Sequence, residues 1–319
     1  MSKFLTFVLL LLLFTFAVKA QENNPTFVQK YHPLKITSPL KTTVLFKSKF
    51  YCLKSNGEVF VVDRRTNTID SSYTDNAKGL SIVNLFLKND SLFGVKSTND
   101  TYYLSQAHVW IPLNRKFKTQ PIFEDDKFII TATCSGEWGG TIYFKDKKTG
   151  KKYEAACTCA VNVIKHRGEY HVTASLNHMA GSTNIFTVKN PLKLQSAYKN
   201  KPTPRGYLSN GTPVYNQGDD ESSSKKGTTH LIDSIGINSV ASFIYNNDLF
   251  YIISKYPKTY ICRVENKNFV TISQLSDKPM WNLDFGCKIY GDETIFNFEN
   301  ERSSGFVVIN QNKITCYVN

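Results

Sequence analysis

Residues 43–62 read Thr43-Val-Leu-Phe, Lys-Ser-Lys, Phe50-Tyr-Cys-Leu, Ser55-Asn-Gly57, Val59-Phe-Val-Val62. Apolar runs rich in β-branched and aromatic residues alternate with short polar turns. Such side chains suit a pleated, half-buried surface, so the stretch predicts a strand meander. Between the second and third runs, Asn56-Gly57 predicts a type I′ hairpin, because both residue types accept positive φ.

The unit recurs. It returns as 82–87, 91–95 and 101–104; as 121–123, 127–131, 140–144 and 153–155; and as 161–164, 169–173 and 184–188. Two more copies follow, at 242–245, 249–253, 259–264 and 269–272, and at 288–290, 294–298, 305–309 and 314–317. Second strands begin near residues 50, 91, 127, 169, 249 and 294, a period of roughly 40 with one interval of about 80. One such sheet cannot bury both of its faces, whereas neighbours packed around an axis bury each other's. The pattern resembles the β-propeller superfold across nearly the whole chain after residue 20. Its motifs are generic: no Trp-Asp dipeptide closes a unit and Gly139-Gly140 occurs once, so neither the WD40 nor the kelch family fits. The expected fold is all-β, a propeller of about six blades, with five or seven left open, forming a single domain over 21–319. The long interval holds Pro202, Pro204, Gly206, Gly211, Pro213 and Gly218 and a polar run from Asp219 to Gly227. That density of turn formers predicts a loop insertion at about 199–230, the most mobile internal stretch.

Met1 to Ala20 reads as a secretory signal peptide: Lys3, an apolar run from Phe4 to Val18, and Val18-Lys19-Ala20 as the cleavage site. Cleavage before Gln21 takes 319 residues to 299 and, with Lys3 and Lys19 gone, the net charge from +13 to +11. The apolar run is short for a membrane span and none follows, so the expected location is secreted or periplasmic, with no transmembrane segment. With 41% hydrophobic residues and 13% aromatics, a disordered chain is excluded. The basic balance favours anionic partners such as an acidic glycan or anionic surface, set against plain surface solvation by lysine. No specific nucleic-acid motif is present. Asn89-Asp-Ser91, Asn99-Asp-Thr101 and Asn210-Gly-Thr212 are formal glycosylation sequons.

No zinc-protease helix, nucleophile elbow, phosphate loop or EF-hand loop occurs. A catalytic role and catalytic residues therefore stay undecided, and no cofactor is expected. The densest cluster runs from 134 to 181. Glu137-Trp138, between glycines, offers a carboxylate and an aromatic face for a sugar, and His178 opens a glycine-containing loop. These three are the candidate ligand-binding residues. His166, in His-Arg-Gly, is expected in a solvent-exposed turn, His171 at the surface or half-buried, and Trp110 and Trp281 between blades. Seven cysteines is an odd number, so at least one lacks an intrachain partner. Cys134 is expected to pair with Cys157 or Cys159, on the premise that neighbouring strands lie about 4.8 Å apart. Free thiols, or a metal held by these cysteines with His178, are the alternatives; no metal is expected. The charged turns Glu124-Asp-Asp126, Asp219-Asp-Glu221 and Lys145–Lys152 read as solvated tips. Two functions remain: a secreted propeller that binds a carbohydrate or other anionic ligand, or a propeller hydrolase or lyase acting on polysaccharide. The enzyme requires facing carboxylates in the central channel.

Overall fold

A computed structural model describes residues 24–36, 38–96, 100–114, 121–197, 206–207, 213–214, 224–282 and 287–319. Residues 1–20, read above as a signal peptide, lie outside them, as does most of 199–223. Six antiparallel sheets stand in a ring as the blades of a β-propeller. Blade 1 is Leu40–Phe46, Lys49–Lys54, Val59–Asp63 and Thr68–Ile69. Blade 2 is Ile82–Lys88, Ser91–Lys96, Thr101–Leu104 and Trp110–Leu113. Blade 3 is Phe123–Glu124, Phe128–Ala132, Thr141–Asp146 and Lys152–Ala156, with Gln195–Ser196 added outside. Blade 4 is Ala160–His166, Glu169–Leu176, Ser182–Val188 and Thr229–Ile235. Blade 5 is Asn238–Tyr245, Asp248–Lys255, Lys258–Glu265 and Asn268–Ser276. Blade 6 is Cys287–Tyr290, Glu293–Glu299, Ser304–Asn310 and Lys313–Val318. The long interval thus falls between the third and fourth strands of blade 4, and Thr229 already belongs to the fourth.

The repeat is visible in the backbone as well as in the sequence. The first strands of blades 1, 2, 4 and 5 each carry a register shift at the same place, between Leu40 and Thr42, Ile82 and Asn84, Ala160 and Asn162, and Ser239 and Ala241. Such a bulge bends the strand and strengthens its twist. The turns Lys47-Ser48, Asn89-Asp90, Arg167-Gly168 and Asn246-Asn247 have positive φ at both residues, the geometry that suits the twist of the strands they join. The 55–57 turn departs from its expected type. Only Gly57 has positive φ, and its amide donates to the Lys54 carbonyl at 3.0 Å, so the hairpin carries a longer loop with a glycine at its left-handed position.

Apolar contacts between blades supply the core. Val44, Leu53 and Val61 pack on Ile82, Leu85 and Trp110 between blades 1 and 2. Ile142 and Phe144 meet Val172 and Phe186 between blades 3 and 4. Further clusters join blades 4 to 5, 5 to 6 and 6 to 1, while none joins 2 to 3 among the described residues. The ring closes through a strand that the sequence pattern does not announce. Val28–Pro33 lies parallel to Lys313–Val318 on the outer edge of blade 6. Tyr31 donates its hydroxyl to the Leu275 carbonyl and Gln29 its amide to that of Gln274, both in blade 5. Leu34 and Ile36 then sink into the cluster between blades 6 and 1. One short segment therefore ties three blades together. Among the described residues no helix is long and apolar enough to cross a membrane.

Candidate functional site

The first strands surround the axis, and their exposed side chains mark where it is open. Ile244 (39%), Ile289 (41%) and Val83 (37%) are among the more exposed large hydrophobics, although each sits on an innermost strand. At the end carrying the first turns, the axis widens into a cavity of about 480 Å³. Small-molecule sites commonly occupy 300–1,000 Å³, so the volume suits a small ligand. Phe123, Ile164, Ile244 and Ile289, from blades 3, 4, 5 and 6, give it apolar walls. Lys165, Asn246, Asn247, Asp292, Thr294 and Gln311 supply the polar groups.

These polar groups are held in place. Lys165 Nζ lies 2.6 Å from Asp125 Oδ2, which also accepts from the Tyr170 hydroxyl at 2.7 Å. Asp125 Oδ1 accepts from the amides of Lys127 and Phe128, which shapes the turn. Burial alone would raise the Asp125 carboxyl. Hydrogen bonds from Lys165, the Phe128 amide and Tyr170 outweigh it and hold the group well below the usual carboxylate range. Arg167 donates to Asn247 O at 2.9 Å and to Asp248 Oδ1 at 3.2 Å, bracing the Asn246-Asn247 turn. Behind the Gly291-Asp292 turn, buried Glu293 accepts from Arg64 of blade 1 and from Asn310. Asp292 is the one carboxylate among the lining residues.

Glu137 and His178 meet elsewhere, in the loops joining second to third strands, at the opposite end of the blades. Their Oε2 and Nδ1 atoms are 3.3 Å apart and both side chains are about half exposed, 49% and 51%. An exposed pair of this kind contributes little to stability. Trp138 belongs to the short 3₁₀ turn Gly136–Trp138, but its side chain lies outside the described structure. His166 corrects an expectation. The turn is Arg167-Gly168, so His166 is the last residue of its strand and is buried, 5.8 Å from the His171 ring. Burial lowers the pKa of both imidazoles.

Cys134 pairs with Cys159, and Cys157 is a buried thiol outside that bond. The geometry explains the choice and corrects the premise of adjacent strands. Cys134 follows the second strand of blade 3 and Cys157 the fourth, whose amide donates to Gly140 O at 2.8 Å. They flank Gly140 from opposite sides, two strand spacings or roughly 10 Å apart. Cys159 turns back with positive φ (56°) and brings its Cα within 4.4 Å of that of Cys134. Gly140 makes the crossing possible. A Cβ there would stand 2.5 Å from Cys157 O and 2.7 Å from Thr133 O. The remaining cysteines, Cys52, Cys262, Cys287 and Cys316, are buried thiols.

Sequence reasoning named Glu137, Trp138 and His178 as candidate ligand-binding residues and a channel mouth or one face of the propeller as the place of binding, but named none of the residues that line the axial cavity. Its lining comes from four blades, with no local motif. The available signal was in the repeats: Asn246-Asn247 and Lys165 stand beside the first turns, whose ends converge on the axis.

No protein-family model matches the sequence, and no curated protein matches it. Solved structures are similar in fold at low identity. The computationally designed Ika8 protein is 7% identical, with 91% of this chain and 89% of that one covered at a TM-score of 0.39. BamB from Moraxella catarrhalis is 10% identical, covering 86% and 83% at 0.38. The β-propeller domain of the Trilobed protease from Pyrococcus furiosus is 9% identical, covering 86% and 95% at 0.34. The propeller assignment rests on the six sheets of the chain itself.

Proposed function

We infer that the chain is a secreted binding protein that takes a saccharide in its axial cavity. The observation that carries this is the lining: apolar walls beside a set of carboxamides, one hydroxyl and one carboxylate. A sugar ring presents the matching surface, apolar C–H faces edged by hydroxyls that both donate and accept. Lys165 is already neutralised by Asp125, so the cavity itself favours a neutral sugar unit. Arg64, Lys147 and Arg167 at the same end are likewise paired, with Glu293, Glu124 and Asp248, which leaves Arg65 and Lys148 as cations there that would help draw in an acidic polymer. Hydrolase or lyase chemistry is less favoured, because a glycosidase needs a second carboxylate about 5–9 Å across from Asp292. Secretion rests on residues 1–20 and on the disulfide, which suits an oxidising compartment.

A glycan array followed by calorimetry on the positive ligands tests this. Asn246→Ala and Asn247→Ala should each weaken binding about tenfold, the cost of a lost hydrogen bond at a desolvated site. Saccharide binding that survives both substitutions, or no binding to any glycan, would overturn the assignment. Release of reducing ends would move the protein to the enzyme class.

A further inference from the structure

The blades provide an internal comparison. The strand pairs Phe46–Lys49, Lys88–Ser91, His166–Glu169, Tyr245–Asp248 and Tyr290–Glu293 each close the first turn of a blade. Two residues before that closure stand Val44, Phe86, Ile164 and Phe243 in blades 1, 2, 4 and 5, all apolar and buried. Blade 6 has Lys288 there.

The side chain of Lys288 runs across the axis. Its Nζ donates to Leu85 O, on the first strand of blade 2, at 3.3 Å, passing in front of blade 1. The side chain is partly buried, and its bond from blade 6 to blade 2 holds the amine on the axial side of blade 1. Its neighbour Ile289 lines the cavity just described. No carboxylate forms an ion pair with Lys288 among the described residues. Burial alone acts on the amine and pushes its pKa from the ordinary 10.5 down to about 8.

A packing role does not require this residue. An apolar side chain fills the same place in four other blades, and a partly buried ammonium with no carboxylate beside it is less favourable there than a hydrocarbon. What the position does provide is a desolvated primary amine that can be reached through a channel, the arrangement that activates lysine as a nucleophile. We propose that Lys288 captures small aldehydes entering the channel, as an imine. The nitrogen lone pair attacks the carbonyl carbon and the C=O π pair moves to oxygen. Nitrogen then gives up both of its protons to that oxygen by way of water. The oxygen leaves as water, and a C=N bond remains. An enclosing channel also slows hydrolysis of the product by limiting water. This site stands whether or not the cavity binds a saccharide.

Reductive alkylation of the purified protein with propanal and cyanoborohydride, followed by peptide mapping, provides the test. At pH 7 an amine with a pKa of about 8 is neutral about 300 times more often than one at 10.5. Restricted access and the weaker nucleophilicity of a less basic amine reduce that advantage. Lys288 should still be alkylated at least tenfold faster than the exposed lysines. Its rate should level off above about pH 8 while theirs continue to rise. Lys288→Met should abolish this fast adduct and leave the slow ones. If that variant does not fold, the pH profile of the unmodified protein decides. Alkylation no faster than at surface lysines, a profile that follows theirs, or no adduct at Lys288 would each overturn the proposal.

Discussion

Replacing Cys134 and Cys159 by alanine removes the crosslink that fixes the passage from blade 3 to blade 4. The bond closes a loop over a sequence separation of 25 residues. The chain-entropy relation for a loop of that size gives about 3.5 kcal/mol at 25 °C. A protein of this length loses roughly 2 °C of melting temperature per kcal/mol, so the double variant should melt about 7 °C lower. Reductant offers a second route to the same number. The other five cysteines are buried thiols, so dithiothreitol acts on this bond alone. Calorimetry of the unmodified protein with and without dithiothreitol should give the shift, and the double variant should give none. Cys157→Ala should retain the full response, because Cys157 takes no part in the bond. A reductant shift that disappears in Cys157→Ala and survives in Cys159→Ala would refute the geometry. So would a Cys134–Cys157 peptide in a non-reducing map.

Asn162 and Ser242 exchange two hydrogen bonds across blades 4 and 5, at 3.1 and 2.9 Å. Asn162→Ala strands both partners in a dry interface and should cost about 3 kcal/mol in urea denaturation. Asp125 has a folded pKa below its unfolded value, so its stabilisation is fully present above about pH 4 and is lost as pH falls further. Asp125→Asn should accordingly destabilise at pH 7, and its gap to the unmodified protein should narrow steadily as pH falls below about 4, as followed by melting temperature. Truncation through Pro33 removes the strand that bridges blades 5, 6 and 1, and hydrogen exchange should report lost protection across Lys313–Val318 before any other strand. N-terminal sequencing of secreted protein should begin at Gln21.

Much of the propeller was legible because its information is local. Alternating runs and two-residue turns fixed the inner three strands of most blades, and the period pointed to about six of them with five or seven left open. The closing strand was not legible. Val28–Pro33 is largely exposed and reads Val-Gln-Lys-Tyr-His-Pro, with no alternation to mark a buried face. Its partner is the far end of the chain, and a parallel pairing needs no turn that could announce it. His166 was misplaced for a smaller reason: a two-residue turn begins one position later than the tripeptide suggested. The disulfide narrowed to two partners from spacing alone. Choosing between them required knowing that Gly140 lies between Cys134 and Cys157.

The lining of the axial cavity was hidden because ring closure, not sequence proximity, assembles it, and the repeat itself offers a way to find it. Blades built on one register can be compared position by position at the turn that closes their first hairpin. Positions that agree describe the scaffold, as with the bulges at Lys41, Val83, Val161 and Val240. Positions that disagree show where the ring's equivalence has been given up. Where blades 1, 2 and 5 place Leu45, Leu87 and Ile244, blade 4 places Lys165, which lines the cavity. Where four blades place a buried hydrocarbon, blade 6 places Lys288. Where Asn162 bridges to Ser242 in the next blade, its counterpart Asn84 is exposed, beside the one blade boundary that no described cluster spans. A charge or an unpaired amide at a position that could hold a well-packed apolar side chain costs stability. Its presence on the innermost strands, where side chains reach the axis, is the physical reason to test the axis for binding first.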